Sequence, residues 1–407
     1  MRILHTADWH LCDQLGRLNR TDDLKRRVER VAELCNEHAV ELLLIAGDLF
    51  CEHATVVEMT DALDHVRKAF AGFFARGGTI LAVTGNHDRD AKINMVRSGM
   101  MLAVPQPGAG GVLAGGRMYL LNGCSVAKLR DAAGQVVQFV LVPYPFANRY
   151  GLSATDYRTK EAETSALQTM VKDWISRTPE RTDFDTTLHT VLVAHLHVRG
   201  SELMTAYKVT EREDVLFDFA DLNPSWAYVA LGHIHKPQTL GGASHVRYPG
   251  SLDRLDFGET HGDHGVMLLD LGPDGLVGEP TRLPIPATAF HTVEIADADT
   301  ELPGLAARYP DAATAIVRLR VRLPLGVLSR IEVERELKQL FPRRLELSFV
   351  GDEPEATTGG DSAPTGVAVG FRDTVYDYLG KQLPETDPDR AAVLELADSF
   401  LTTPEAT

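Results

Sequence analysis

Seven side chains able to ligate metal fall in five short blocks of the 407-residue chain. They are Asp8 and His10 in Asp8-Trp9-His10, Asp48 in Gly47-Asp48, Asn86 in Gly85-Asn86-His87-Asp88, His195 in Ala194-His195, and His233 and His235 in Gly232-His233-Ile234-His235. Carboxylate, amide and imidazole donors without a cysteine suit Mn2+, Fe2+ or Zn2+ better than Ca2+. Seven ligands exceed what one ion ordinarily takes from protein, and they divide sensibly between two ions. Asp8, His10 and His235 serve one, Asn86, His195 and His233 the other, and Asp48 is shared through its two oxygens. Two cations ~3.5–4 Å apart clamp a phosphate and activate a water for in-line attack on phosphorus. His87, next to a ligand yet surplus to the coordination set, is the candidate proton donor to the leaving oxygen. Asp88 is the candidate to hold that imidazole charged and oriented.

Each block ends an apolar run of the kind that forms a buried strand. The runs are Ile3-Leu4, Leu42 to Ala46, Ile80 to Val83, Val191 to Val193 and Tyr228 to Leu231. Sites in layered α/β folds form just beyond strand ends. In Asp8-x-His10 and His233-x-His235, strand alternation would put both ligands on one side of the chain. Alone, Gly47-Asp48 reads as a strand-ending turn and Gly85-Asn86 as a common turn pair. It is the set, in this order and at these strand ends, that points to metal. His197 could be an eighth ligand but reads first as a polar loop residue near the site, and His5 reads as a hydrogen-bonded core histidine. His261, Asp263 and His264 could bind a stray metal but read first as a solvated loop. Arg343-Arg344 and Arg318, Arg320 and Arg322 could touch phosphates, although the alternation of the last three reads first as one exposed strand face.

Residues 1–104 alternate strand and helix three times. Leu24, Val28, Val31, Leu34 and Cys35 share one face of a helix over Asp22 to Glu37. Val56, Met59, Leu63, Val66, Phe70 and Phe73 do so over Thr55 to Phe74, where Gly77-Gly78 releases the chain. The pattern turns to β from Val112 to Pro145, with a helix over Arg158 to Arg177 and a polar excursion from Arg199 to Asn223. His245–Tyr248 and Gly265–Leu271 are expected to complete a second sheet. Pro280 to Pro286 reads as a linker, followed by strand, strand, helix, strand to Val350. Gly351 to Gly366 reads as a flexible tether, and two short amphipathic helices follow within 367–402. The expected division is therefore 1–280, 287–350, a linker over 351–366 and a helical tail over 367–402.

The formal net charge of −16 argues against bulk attraction to nucleic acid but leaves it open as a substrate. The charge is uneven. Arg308 to Glu346 carries nine basic and five acidic residues, whereas Asp352 to Thr407 carries three basic and twelve acidic. The tail thus supplies over half of the net negative charge. No secretory signal opens the chain, no apolar run approaches ~18 residues, and the four cysteines show no C-x-x-C spacing. These features fit a reducing cytoplasm and no membrane anchorage.

The five blocks match the calcineurin-like metallophosphoesterases, whose pattern is D-x-H, G-D, G-N-H-[DE], H, G-H-x-H. Within that superfamily the chain resembles the SbcD-type nucleases of double-strand-break repair. Met1-Arg-Ile-Leu-His-Thr-Ala-Asp-Trp-His-Leu11, Ala46-Gly-Asp-Leu-Phe50, Ala230-Leu-Gly-His-Ile-His235, Tyr248-Pro-Gly-Ser-Leu-Asp253 and Phe257-Gly-Glu259 carry the likeness, which covers roughly residues 1–271. It implies a four-layer α/β/β/α metallophosphoesterase sandwich with a small α+β capping, DNA-binding domain and a C-terminal helical tail. It further implies a Mn2+-dependent 3′–5′ exonuclease and endonuclease acting on DNA ends and hairpins. A homodimer and an SbcC-type coiled-coil ATPase, docked by Phe371–Leu401, complete the expectation. Three positions depart from the pattern: Cys12, Cys51 and Ala194. Cys51 stands where relatives often carry Asp or His, and Glu52 or His53 is a candidate substitute. The competing readings are a small-molecule phosphodiesterase or phosphatase, which the site alone does not separate from a nuclease, and a non-catalytic tether, which predicts eroded ligands.

Overall fold

A computed structural model describes residues 1–102, 111–153, 157–203, 214–222, 225–259, 263–324, 326–351 and Arg390. The chain forms two compact units, Met1–Gly351 and Asp352–Thr407. Apart from Arg390, the tail helices expected over 367–402 lie outside the described residues.

Two mixed sheets build the first unit. In one, the strands Arg2–Thr6, Leu42–Ala46, Thr79–Val83 and Met118–Leu121 lie side by side and parallel. In the other, Val136–Val142, Thr190–His195, Tyr228–Gly232 and Ala243–Tyr248 run parallel, with antiparallel strands at both edges. All five residues of Leu42–Ala46 are buried, because both faces of the strand are covered. Leu43 and Ile45 pack with Leu24, Val28, Val31, Met59 and Val66 from the helices Thr21–Glu37 and Val56–Ala69. Leu42 and Leu44 pack the other way, against Phe139, Val191 and Tyr228 of the second sheet. The outer face of that sheet takes Leu167, Val171 and Ile175, spaced i, i+4, i+8 on the helix Lys160–Arg177. The layers therefore run helix, sheet, sheet, helix.

Local chemistry sets the element ends. Thr55 and Glu58 form a reciprocal capping box that starts one helix, as Ser329 and Glu332 do for Arg330–Leu340. The helix expected over Thr55 to Phe74 is broken at Phe70 into Val56–Ala69 and Ala71–Ala75, and Val56 is exposed rather than on the buried face. Two β assignments also differ from expectation. Gly265–Gly272 joins the first sheet, antiparallel to Arg2–Thr6, and not the second. The expected linker contributes the strand Thr281–Pro284, paired with Gly265 to Leu268. Pro280 precedes this strand, Pro284 ends it and Pro286 lies beyond, where a missing N–H costs little.

Residues 290–350 carry their own three-stranded sheet and apolar cluster. Phe290–Ile295, Ile316–Arg322 and Arg344–Val350 are all parallel. Parallel neighbours need crossovers. One is Arg330–Leu340, as expected, and the other is Ala298–Arg308, a helix not expected from the sequence. Val293, Val317, Leu319, Leu305, Leu337 and Phe341 form the core between sheet and helices. Among the described residues no helix is long and apolar enough to cross a membrane.

Candidate metal centre

The parallel strands of both sheets end at one rim. Asp8 lies two residues beyond Arg2–Thr6, Asp48 two beyond Leu42–Ala46 and Asn86 three beyond Thr79–Val83. His195 closes its strand, and His233 follows Tyr228–Gly232 directly. Contrary to expectation, the paired ligands are not held by strand alternation, since they lie past the strand ends. Asp8 (φ 52°), His10 (φ 45°), Asp48 (φ 50°) and His233 (φ 98°) all adopt left-handed backbone. Such conformations cost about 1–3 kcal/mol each for non-glycine residues and persist where the surroundings over-determine them. Of the six described non-glycine residues with positive φ, only Ala39 lies away from the rim, Cys12 being next to it.

Close approach explains two of the glycines. A Cβ on Gly47 would lie 2.0 Å from His195 Nδ1, and one on Gly85 would lie 2.1 Å from Asp48 Oδ1. Only a residue without a side chain lets these loops close around the ligand atoms.

The seven expected ligands come together. Nitrogen and oxygen atoms of Asp8, His10 and His235 lie within 4.8 Å of one another, as do those of Asp8, Asp48 and His195. His195 Nε2 is 3.3 Å and His10 Nε2 3.7 Å from Asp48 Oδ2. Asn86 Oδ1 is 3.0 Å from both His195 Nε2 and His233 Nδ1. All of these side chains except Asn86 are buried almost completely. His10 Nε2 is buried with no hydrogen-bond partner. An orphaned buried nitrogen is rare and costly, and here it faces carboxylates and imidazoles, so the donor set fits a cation.

Protonation in the metal-free site follows from burial and charge. Burial pushes the Asp8 carboxyl up to about 7, against the pull of His195 and His235. Burial would raise Asp48 too, but His195, His87 and His10 outweigh it and hold it well below the usual carboxylate range. His195 and His235 are lowered by burial and raised further by Asp48 and Glu259 respectively, ending at about 9. Burial keeps His10 and His233 below their ordinary value.

His87 donates its backbone N–H to Asp48 Oδ1 at 2.7 Å, and its ring lies 4.8 Å from that of His10. Asp88 has a different task from the expected one. Its oxygens accept from the backbone N–H groups of Gly85, Leu49 and Phe50 at 2.8, 3.1 and 3.0 Å. It is fully buried and ties two rim loops together through their backbone. The carboxylate facing the His87 ring is Glu52, with Oε2 4.0 Å from Nδ1, and Glu52 is itself paired with Arg89. Cys51 donates its thiol to the Cys12 carbonyl at 3.2 Å.

Three further carboxylates act here that the ligand motif did not reveal. Glu259 accepts from His235 Nδ1 at 2.8 Å, Asp214 from His233 Nε2 at 2.7 Å, and Asp253 sits behind the loop that bonds Asp8. Phe257-Gly-Glu259 was visible in the sequence, whereas Asp214 had no signal beyond its place in a polar excursion. His197 is buried and bonded to Asp214 at 2.9 Å, not a loop residue. His5 is a core histidine, bonded to Tyr228 and the Leu231 carbonyl. Asp263 is exposed, His264 is buried, and His261 lies outside the described residues. Arg318 stacks over Phe257 at 4.1 Å, and Arg343 pairs with Asp23.

The fold and the His/Asp clusters define a metal-dependent phosphoesterase. The family model for calcineurin-like phosphoesterases matches residues 1–237, and the chain belongs to that family. Among curated proteins, the SbcD subunit of the SbcCD nuclease of Rhodobacter capsulatus is 29% identical over 302 residues, covering 70% of this chain and 69% of the relative. The same subunit from Escherichia coli K12 is 25% identical over 316 residues, covering 71% and 69%. The DNA double-strand break repair protein Mre11 of Aeropyrum pernix is 28% identical over 288 residues, covering 70% and 61%.

Proposed function

We propose that this chain is a two-metal DNA nuclease that hydrolyses phosphodiester bonds at DNA ends and hairpins, working with an SbcC-type ATPase. The observation that carries the reading is the convergence of seven oxygen and nitrogen donors on one rim, with His10 Nε2 buried and unpartnered. In this reading Asp8, His10 and His235 hold one divalent cation, Asn86, His195 and His233 hold a second, and Asp48 serves both. Bound there, Mn2+ would polarise the phosphate and supply a water nucleophile at neutral pH.

The chain's own residues do the rest. His87, half-buried at the mouth beside His10, is the proton donor to the leaving oxygen. Glu52, itself paired with Arg89, faces its ring, and Asp88 fixes the backbone on which it stands. Arg318 over Phe257 and the other basic residues of 308–346 are the proposed contacts to the DNA backbone, in a capping domain over 287–350. The acidic tail over 367–402 is the proposed docking segment for the ATPase, and the chain pairs with a second copy. The names of the relatives support a DNA substrate and the SbcC partner.

End-labelled duplex and hairpin DNA, offered with Mn2+, Mg2+ or chelator and with or without a co-expressed SbcC-like protein, test this. Cleavage should need Mn2+ and vanish in His87→Ala, which should still bind metal. Full cleavage by His87→Ala would remove that residue's role. Turnover of a cyclic nucleotide with no cleavage of DNA would replace the nuclease reading by a small-molecule phosphodiesterase.

A further inference from the structure

Gly232-His233-Ile234-His235 presents opposite ring nitrogens to the rim. His235 turns Nδ1 outward to Glu259 and leaves Nε2 among Asp8 and His10. His233 does the reverse, with Nε2 on Asp214 Oδ2 and Nδ1 3.0 Å from Asn86 Oδ1. A carboxylate only accepts, so whichever nitrogen it meets carries a proton, and the other is the one left to offer a lone pair to a cation. The left-handed backbone of His233 and its N–H bond to Asp8 at 3.1 Å turn the ring this way.

Asp214 is built for that contact. It is buried, and four donors meet its two oxygens. Tyr144 Oη and Val215 N donate to Oδ1, each at 2.8 Å, while His233 Nε2 and His197 Nδ1 meet Oδ2 at 2.7 and 2.9 Å. Burial alone would raise this carboxyl, but His233, His197 and Tyr144 hold it well below the usual range. His197, Asp214 and His233 could together be read as a third ion site, since their atoms lie within 4.8 Å. Hydrogen-bond distances at both imidazoles argue against it, because the oxygen that an ion would need already takes two N–H groups.

We propose that Asp214 is a positioning residue, braced by Tyr144 and His197, that fixes His233 with Nδ1 toward the Asn86–His195–His233 half of the centre and so sets that half's affinity for its cation. The proposal rests on the metal-centre reading. Partners of this kind raise ligand basicity and lock orientation, and their loss weakens metal binding about 10–100-fold.

The test uses the full-length chain and its Asp214→Asn and Tyr144→Phe variants. Mn2+ is titrated calorimetrically without DNA, and the histidine tautomers are read by 15N NMR of the Zn2+-loaded protein. Wild type should bind two ions, with His233 carrying its proton on Nε2. Asp214→Asn should weaken one ion about 10–100-fold and spare the other. Tyr144→Phe, which removes one donor of four, should weaken the same ion by less than about tenfold. If Asp214→Asn fails to fold, the wild-type tautomer and the Tyr144→Phe titration still decide. Two ions bound with unchanged affinity in both variants, a proton on His233 Nδ1, or a third ion per chain would overturn the positioning role. A wild type that binds no ion would instead overturn the metal-centre reading.

Discussion

Replacing Arg20 by Met should destabilise the first unit by about 3 kcal/mol. Arg20 is fully buried, with Nη1 3.0 Å from Asp13, Nη2 3.3 Å from Asp253 and its guanidinium 5.6 Å from the centre of the Phe290 ring. It joins the loop after His10, the loop before Glu259 and the start of the three-stranded sheet. At 3.3 Å and an effective dielectric of ~20, one such pair attracts by about 5 kcal/mol. Three features reduce that figure. The Arg20–Asp253 contact lacks hydrogen-bond alignment. Arg27 Nε stays 3.4 Å from the same Asp253 oxygen. Thr288 still donates to Asp253 through N and Oγ1 at 2.6 and 2.5 Å. Leaving a buried charge uncompensated costs about 3–5 kcal/mol, and these residual partners favour the lower end. Methionine keeps most of the apolar stem while removing the guanidinium that lies over Phe290. Urea unfolding in chelator, followed by the fluorescence of the three tryptophans, gives the loss, and Asp253→Asn completes a double-mutant cycle. The cycle should return a coupling of about 1–3 kcal/mol. A single-variant loss below about 1 kcal/mol with no coupling would show that the buried cluster does not hold these loops together.

Two further outcomes follow from the rim. Gly85→Ala places its Cβ 2.5 Å from the Asp48 backbone nitrogen as well as against the carboxylate. The chain should lose about 1–3 kcal/mol of stability and bind Mn2+ more weakly by about tenfold or more, measured by urea unfolding and by metal titration; unchanged affinity would show that the loops have room to spare. Loading Mn2+ at pH 7.5 should also release about two protons, because His195 and His235, raised to about 9, are protonated in the metal-free site and must lose a proton to ligate. Affinity should therefore rise with pH up to about 9, while the metal-free protein loses stability as pH rises from about 6.5 to about 9. Over that range the unfolded histidines have already given up the protons that the folded chain still holds. Calorimetry in buffers of different ionisation enthalpy counts the protons, and none released would contradict the assignment.

The ligand set was legible because each ligand type stands at the end of an apolar run, and burial on both faces makes those runs continuous in sequence. What held the ligands was less legible. Left-handed backbone at Asp8, His10 and His233 is only weakly signalled by residue type, since Asp and His tolerate it but adopt it rarely, so strand alternation was the natural but wrong geometry. The backbone contacts of Asp88 were not legible because neighbours in sequence need not be neighbours in hydrogen bonding: its carboxylate reaches the Leu49 and Phe50 amides across the rim. Gly265–Gly272 went to the first sheet because pairing partners are chosen in three dimensions, and its alternating pattern suited either sheet. Ala298–Arg308 was hidden by Pro303, a residue that argues against a helix interior, yet Leu302 and Leu305 on either side of it are buried. Asp214 lies far in sequence from His233's motif, and only the fold brings the two together.

Diffraction at the manganese absorption edge from crystals of the full-length chain grown with Mn2+ tests the central claim most directly. Two anomalous peaks about 3.5–4 Å apart are predicted, one among Asp8, His10 and His235, the other among Asn86, His195 and His233, with Asp48 touching both. A single peak, or manganese bound elsewhere with His10 Nε2 still unpartnered, would contradict it.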